Sequence, residues 1–182
     1  MTERLIIHQE FKSEYFDNRQ EGSVVDTIII HSMFNPKNVN DQYSITSCKA
    51  IMDEYQVSSH YILDREGVVW QVVNEINRAW HAGVSCMPNS KGGCADVNTT
   101  SIGIELVALE ATDKNHFSIE QYFALALLIF DIKTRHPIQN IYGHKHIAPG
   151  RKSDPWGFDW LSFRKEIEEK FGEIGEMKIP NH

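Results

Sequence analysis

The sequence predicts an α/β fold: a single domain built on a central mixed β-sheet with helices packed on its faces. Three observations carry this. TIIIHSM, residues 27–33, is β-branched and almost continuously apolar, the mark of a strand covered on both faces. Residues 44–56 and 118–136 place apolar side chains at helical spacing behind a serine able to cap them. Strand and helix signals then alternate along the chain, the pattern of helices layered on a sheet.

Each element follows from local chemistry. Behind Ser44, the residues Ile45, Cys48, Ile51, Met52 and Tyr55 mark one helix face. SHYILD and VVWQVV flank Arg65-Glu66-Gly67 and read as a hairpin. TSIGIELVAL reads as a strand with Ile102 and Ile104 on one side and Ser101, Gly103 and Glu105 on the other. Ser118 with Gln121 three residues on forms a capping box, and Pro137 ends that helix. IQNIYGH is a short strand, and DWLSFRKEIEEKFG is an amphipathic helix stopped by Gly172. Trp80–Thr100 reads as a long Gly- and Asn-rich loop, a length that points to function. GHKHIAPGRKSDP, residues 143–155, reads as a charged loop pinned by Pro149 and Gly150. Residues 1–23 are expected to be an N-terminal extension, 24–172 the domain, and 173–182 a tail that frays at its end.

Composition narrows the partners. The 182 residues suit one core, and 41% hydrophobic with 24% charged residues is ordinary for a soluble protein. A net charge of −7 disfavours nucleic acid and argues against adsorption to anionic surfaces. Leu5-Ile6-Ile7 is too short for a secretory core. FALALLIF is likewise too short to span a bilayer, which takes ~20 apolar residues. Cys48, Cys86 and Cys94 fit no zinc-ribbon spacing. Free thiols in a reducing compartment are the expected state, with a Cys86–Cys94 bridge left open. The chain is therefore expected to be cytoplasmic, and its oligomeric state stays open.

The residues able to do chemistry sit at strand ends. His31 closes TIIIH, and His144 follows NIYG. Asp154 lies beyond the Pro-Gly bend and can turn back toward His144. Taken singly, such a histidine is more often a hydrogen-bonded core residue. Together, two imidazoles and one carboxylate make a three-ligand zinc set with a position left for water. Zinc lowers the pKa of such a water to about 7. Glu105 shares a strand face with Gly103, where a carboxylate could relay a proton and the glycine leave room for substrate. Lys152 could stabilise an oxyanion, although a solvated lysine is the simpler reading. His146 makes His-x-His with His144, but the Pro-Gly bend argues against both imidazoles binding one ion. AWHAG sets the Trp80 indole and the His81 imidazole beside small residues; an indole face can stack on a sugar ring, although simple packing is the plainer reading for Trp80.

IIIHS, SSHYILDREGVVWQ, AWHAG, NTTSIGIEL and GHKHIAPGRKSDPWGFDW, in that order between Val24 and Trp160, resemble the zinc-dependent N-acetylmuramoyl-L-alanine amidases of the AmpD and peptidoglycan-recognition-protein type. The last segment is the most specific. The resemblance implies a Zn²⁺ held by His31, His144 and Asp154, with Glu105 and Lys152 as catalytic residues. It implies cleavage between the lactyl group of N-acetylmuramic acid and L-alanine in a muropeptide or peptidoglycan. Tyr43, Trp80, His81, Ala82 and Arg151 are its expected substrate contacts. Three positions depart from the cytoplasmic pattern: Ser32, Gly92-Gly93 before Cys94, and His146. They put substrate preference in question, with Arg151 and Lys91 as candidate sources of missing positive charge. Cell-wall recycling in the cytoplasm is the first expectation. A phage-type endolysin, a non-catalytic peptidoglycan-binding module and a hydrolase for another amide are the alternatives.

Overall fold

The computed structural model describes residues 5–88, 94, 96–109, 116–172 and 177–182. A six-stranded mixed sheet runs through the molecule. Its strands in chain order are β1 (Ile7–His8), β3 (Thr27–Met33), β4 (Tyr61–Leu63), β5 (Val69–Gln71), β7 (Ser101–Val107) and β8 (Asn140–Gly143). Their spatial order is β1-β5-β4-β7-β3-β8. β4, β7, β3 and β8 run parallel, while β4 and β5 form the expected antiparallel hairpin. β2 (Phe16–Asn18) and β6 (Asn77–Ala79) make a separate two-stranded sheet.

Helices cover both faces. α3 (Ile119–Lys133) and α5 (Trp160–Phe171) bury Leu125, Leu128, Ile132, Phe163 and Ile167 against Ile28, Ile30, Ile102 and Ile104. Each such side chain contributes roughly 1.5–3 kcal/mol by leaving water. α3 carries the expected capping box at Ser118 and Gln121, and the Gln121 amide donates to the Leu63 and Val107 carbonyls. The cap therefore also fastens the helix to two strands. α1 (Ile45–Glu54) covers the opposite face through Cys48 and Met52. There a second small cluster joins Ile29, Ala82, Val97 and Ile147. Among the described residues no helix is long and apolar enough to cross a membrane.

Three expectations are corrected. The segment from Trp80 is not loop throughout, because Asp96 caps the short helix α2 (Val97–Thr100). GHKHIAPGRKSDP opens with one helical turn, α4 (His144–Ile147), before the bend. Met177 and Ile179 are buried, and Lys178 bridges to Asn140 beside β8. Cys86 and Cys94 form a disulfide, not free thiols, and Cys48 alone is free and buried among the described residues. The Cys86 amide donates to the Ile147 carbonyl. Gly92, Gly93 and Lys91 lie outside the described residues.

Candidate metal centre and active site

Three adjacent parallel strands, β7, β3 and β8, end on the same side of the sheet. Crevices outside the carboxyl ends of parallel strands are where such folds bind ligands. His31 lies near the end of β3, Glu105 near the end of β7, and His144 directly after β8. Register makes Glu105 the partner of His31, so both side chains leave the same face. Asp154 is returned to this point by the bend, where its carbonyl accepts from the Lys145 amide.

The donor atoms converge. His31 Nδ1 is 3.0 Å from His144 Nδ1 and 3.3 Å from Asp154 Oδ2, and His144 Nδ1 is 3.2 Å from the same oxygen. All three residues are buried. His144 Nε2 donates to the Ala82 carbonyl at 3.0 Å, so its Nδ1 carries a lone pair. Burial pushes the His31 imidazole down to about 4, against the pull of the nearby Asp154 carboxylate, so the ring is neutral at pH 7. Burial would raise the Asp154 carboxyl, but the adjacent His144 and His31 rings outweigh it and hold the group well below its ordinary value. Lone pairs and a carboxylate therefore face one small volume, which is a place for a cation. Ligands about 2.0–2.1 Å from a tetrahedral zinc lie roughly 3.3–3.4 Å apart, close to the observed edges. The chemistry and spacing of this donor set fit zinc.

Beside the triad is a cavity of about 230 Å³ whose walls include Glu105, Lys152, Trp80 and His81. Glu105 Oε2 is buried without a hydrogen-bond partner. Its pKa is raised well above the ordinary carboxylate value, first by burial and then by the charge of Asp154, with Lys152 opposing. A carboxyl shifted upward in a cleft is a candidate for taking and giving a proton. A wider groove of about 490 Å³ shares Ser32, Met52, Val57, Glu105, Lys152 and Trp156 with the cavity and continues past Phe34 and Tyr55.

Tyr43, Ala82 and Arg151 do not line this cavity. Tyr43 packs beside Phe34. Ala82 supplies the carbonyl behind His144, and the Arg151 guanidinium is engaged by the Ala82 and Val84 carbonyls. The space at Gly103 is taken by the His81 ring, since a Cβ there would lie 2.4 Å from His81 Cγ, so it is not room for substrate. His146 turns away from the triad, accepting from the Gly143 amide and donating to the His182 carbonyl. Sequence reasoning missed Trp156, which forms part of both cavity and groove; its place two residues after Asp154 was the available signal.

Residues 21–157 match the family model of N-acetylmuramoyl-L-alanine amidases, Amidase_2, and the chain belongs to that family. The 1,6-anhydro-N-acetylmuramyl-L-alanine amidase AmpD of Citrobacter freundii is 44% identical over 112 residues, which is 60% of this chain and 56% of that protein. The chain thus spans a little over half the length of that relative. AmpD of Haemophilus influenzae is 31% identical over 176 residues, covering 88% of this chain and 92% of the other. A crystal structure of a selenomethionine AmpD derivative superposes with a TM-score of 0.74 at 31% identity, covering 88% of this chain and 94% of that one.

Proposed function

We propose that this chain is a zinc amidase that cleaves the bond between the lactyl group of 1,6-anhydro-N-acetylmuramic acid and L-alanine of the stem peptide. The convergence of His31, His144 and Asp154 beside a buried, partnerless Glu105 oxygen carries the reading. The names of the two AmpD relatives support the anhydro substrate.

His31, His144 and Asp154 would hold the zinc. Bound there, the ion would supply Lewis acidity to the scissile carbonyl and lower the pKa of solvent at the site. Glu105 takes the proton of the attacking water as the oxygen adds to the carbonyl carbon. It delivers that proton to the alanine nitrogen as the C–N bond breaks. The Lys152 ammonium, on the same cavity wall, neutralises the oxyanion. Trp80 and Trp156 form apolar walls that exclude water and orient the sugar and lactyl end. Domain limits of 24–172 with flanking segments, and a cytoplasmic role in wall recycling, belong to the same proposal.

A second reading is favoured by one observation. The Cys86–Cys94 disulfide suits an oxidising compartment, where the substrate would be intact peptidoglycan. Mass spectrometry of products from defined anhydro-muropeptides and from whole sacculi tests both. Release of free stem peptide from the soluble substrate, abolished by chelator and restored by zinc, is the expected result. Cleavage of sacculi alone would overturn the anhydro assignment, and no cleavage of either would overturn the amidase reading.

A further inference from the structure

We propose that His81 is a positioning residue for the metal: it holds His31 in the one tautomer that can act as a ligand through Nδ1. This rests on the zinc-site reading above and adds a residue to it. The deduction starts from a backbone carbonyl. Val97 O lies 2.6 Å from Ser101 Oγ, and a carbonyl only accepts, so the hydroxyl proton of Ser101 goes there. Ser101 Oγ then accepts from the ring nitrogen 3.2 Å away, Nε2 of His81. A neutral imidazole whose N–H is at Nε2 offers a lone pair at Nδ1. That atom is 3.0 Å from His31 Nε2, so His31 donates through Nε2 and its Nδ1 is bare. Nδ1 of His31 is the atom facing His144 and Asp154. The direction of every bond in the chain is thus set by Val97, and reversing any one would put a proton where the ion must sit.

The surroundings hold this arrangement in place. No hydrogen bond or ion pair joins the His81 ring to a carboxylate among the described residues; its two nitrogens face His31 and Ser101. The ring packs edge-on to His31, with centroids 5.1 Å apart. Gly103 is what admits it, because any side chain there would occupy the space of the ring. Asn98 Oδ1 accepts from the amides of His81 and Ala82 at 3.2 and 2.8 Å, which fixes the backbone. Residues 81 and 82 therefore orient both histidine ligands, one through its side chain and the other through its carbonyl. Hydrogen-bonded second partners of this kind are what keep metal-binding imidazoles in one tautomer and orientation.

The test measures zinc affinity of the metal-stripped protein by competition with a chromophoric chelator, beside nitrogen-15 NMR of the ring nitrogens. His81→Phe removes the acceptor and is expected to weaken zinc binding roughly 10–100-fold. His81→Asn, whose Oδ1 can accept from His31 Nε2, is expected to recover most of that loss. In the metal-free wild type His31 Nδ1 should read as unprotonated, and in His81→Phe the two tautomers should mix. Ser101→Ala serves if His81→Phe fails to fold; it removes the atom that orients His81 and should weaken zinc binding several-fold. Folded His81→Phe or Ser101→Ala protein binding zinc as tightly as wild type would overturn the proposal, as would a wild-type His31 protonated at Nδ1. A wild type that binds no zinc would instead remove the zinc-site reading itself.

Discussion

His31 and Glu105 are register partners on neighbouring parallel strands, so an imidazole and a carboxyl leave the sheet side by side. The pair predicts separable phenotypes. Glu105→Gln should keep zinc at one equivalent and lose roughly 10²–10⁴-fold in kcat, the contribution of a positioned proton relay. Metal analysis and turnover on an anhydro-muropeptide measure the two. A Glu105→Gln enzyme with wild-type kcat would remove Glu105 from the mechanism.

The same carboxyl predicts a pH-dependent stability. In the fold Glu105 keeps its proton to higher pH than in the unfolded chain. Between the ordinary glutamate pKa, ~4.3, and its raised value, the folded state binds the extra proton, so stability falls as pH rises through that window. Glutamine cannot ionise. Metal-stripped Glu105→Gln should therefore gain in Tm over metal-stripped wild type on going from about pH 4 to about pH 7. A Tm difference that does not change with pH would contradict the burial of a partnerless carboxyl.

Gly103 is predicted to be intolerant. An added Cβ would meet the His81 ring at 2.4 Å, and that ring is hemmed in by His31, Ser101 and His60. Overpacking of this kind typically costs about 1–3 kcal/mol. Gly103→Ala should lower the unfolding free energy by that order and weaken zinc binding at the same time. Wild-type values for both would mean that His81 moves aside freely.

The disulfide predicts a thiol count. Denatured, unreduced protein should take up one alkyl group, at Cys48, and three after reduction. Closing a loop with eight residues of sequence separation stabilises by about 2–3 kcal/mol on chain-entropy grounds, so reduction should cost that order. Three groups without reductant would remove the observation favouring an oxidising compartment.

What could be read from the sequence follows from how far each signal reaches along the chain. His31 and Glu105 were legible because a strand alternates its faces, and Ile28, Ile30, Ile102 and Ile104 show which face is core. Asp154 was legible because Pro149 and Gly150 force a reversal toward His144. β1, β2 and β6 escaped notice because each is two or three residues long, too short for any periodicity, and FDN and NRA are largely polar. Their pairing is set by partners elsewhere, such as Arg19, whose guanidinium donates to the carbonyls of Glu75, Asn98, Thr99 and Ser101. The place of His81 behind His31 spans 50 positions and depends on the path of the intervening chain. The Cys86–Cys94 link likewise depends on a loop path that spacing alone leaves open.

Anomalous diffraction at the zinc edge from crystals of zinc-loaded protein tests the metal centre directly. One peak is predicted, within bonding distance of His31 Nδ1, His144 Nδ1 and Asp154 Oδ2, and absent from crystals of Asp154→Ala. A catalytically active crystal with no peak among those three atoms would rule out a metal centre at His31, His144 and Asp154.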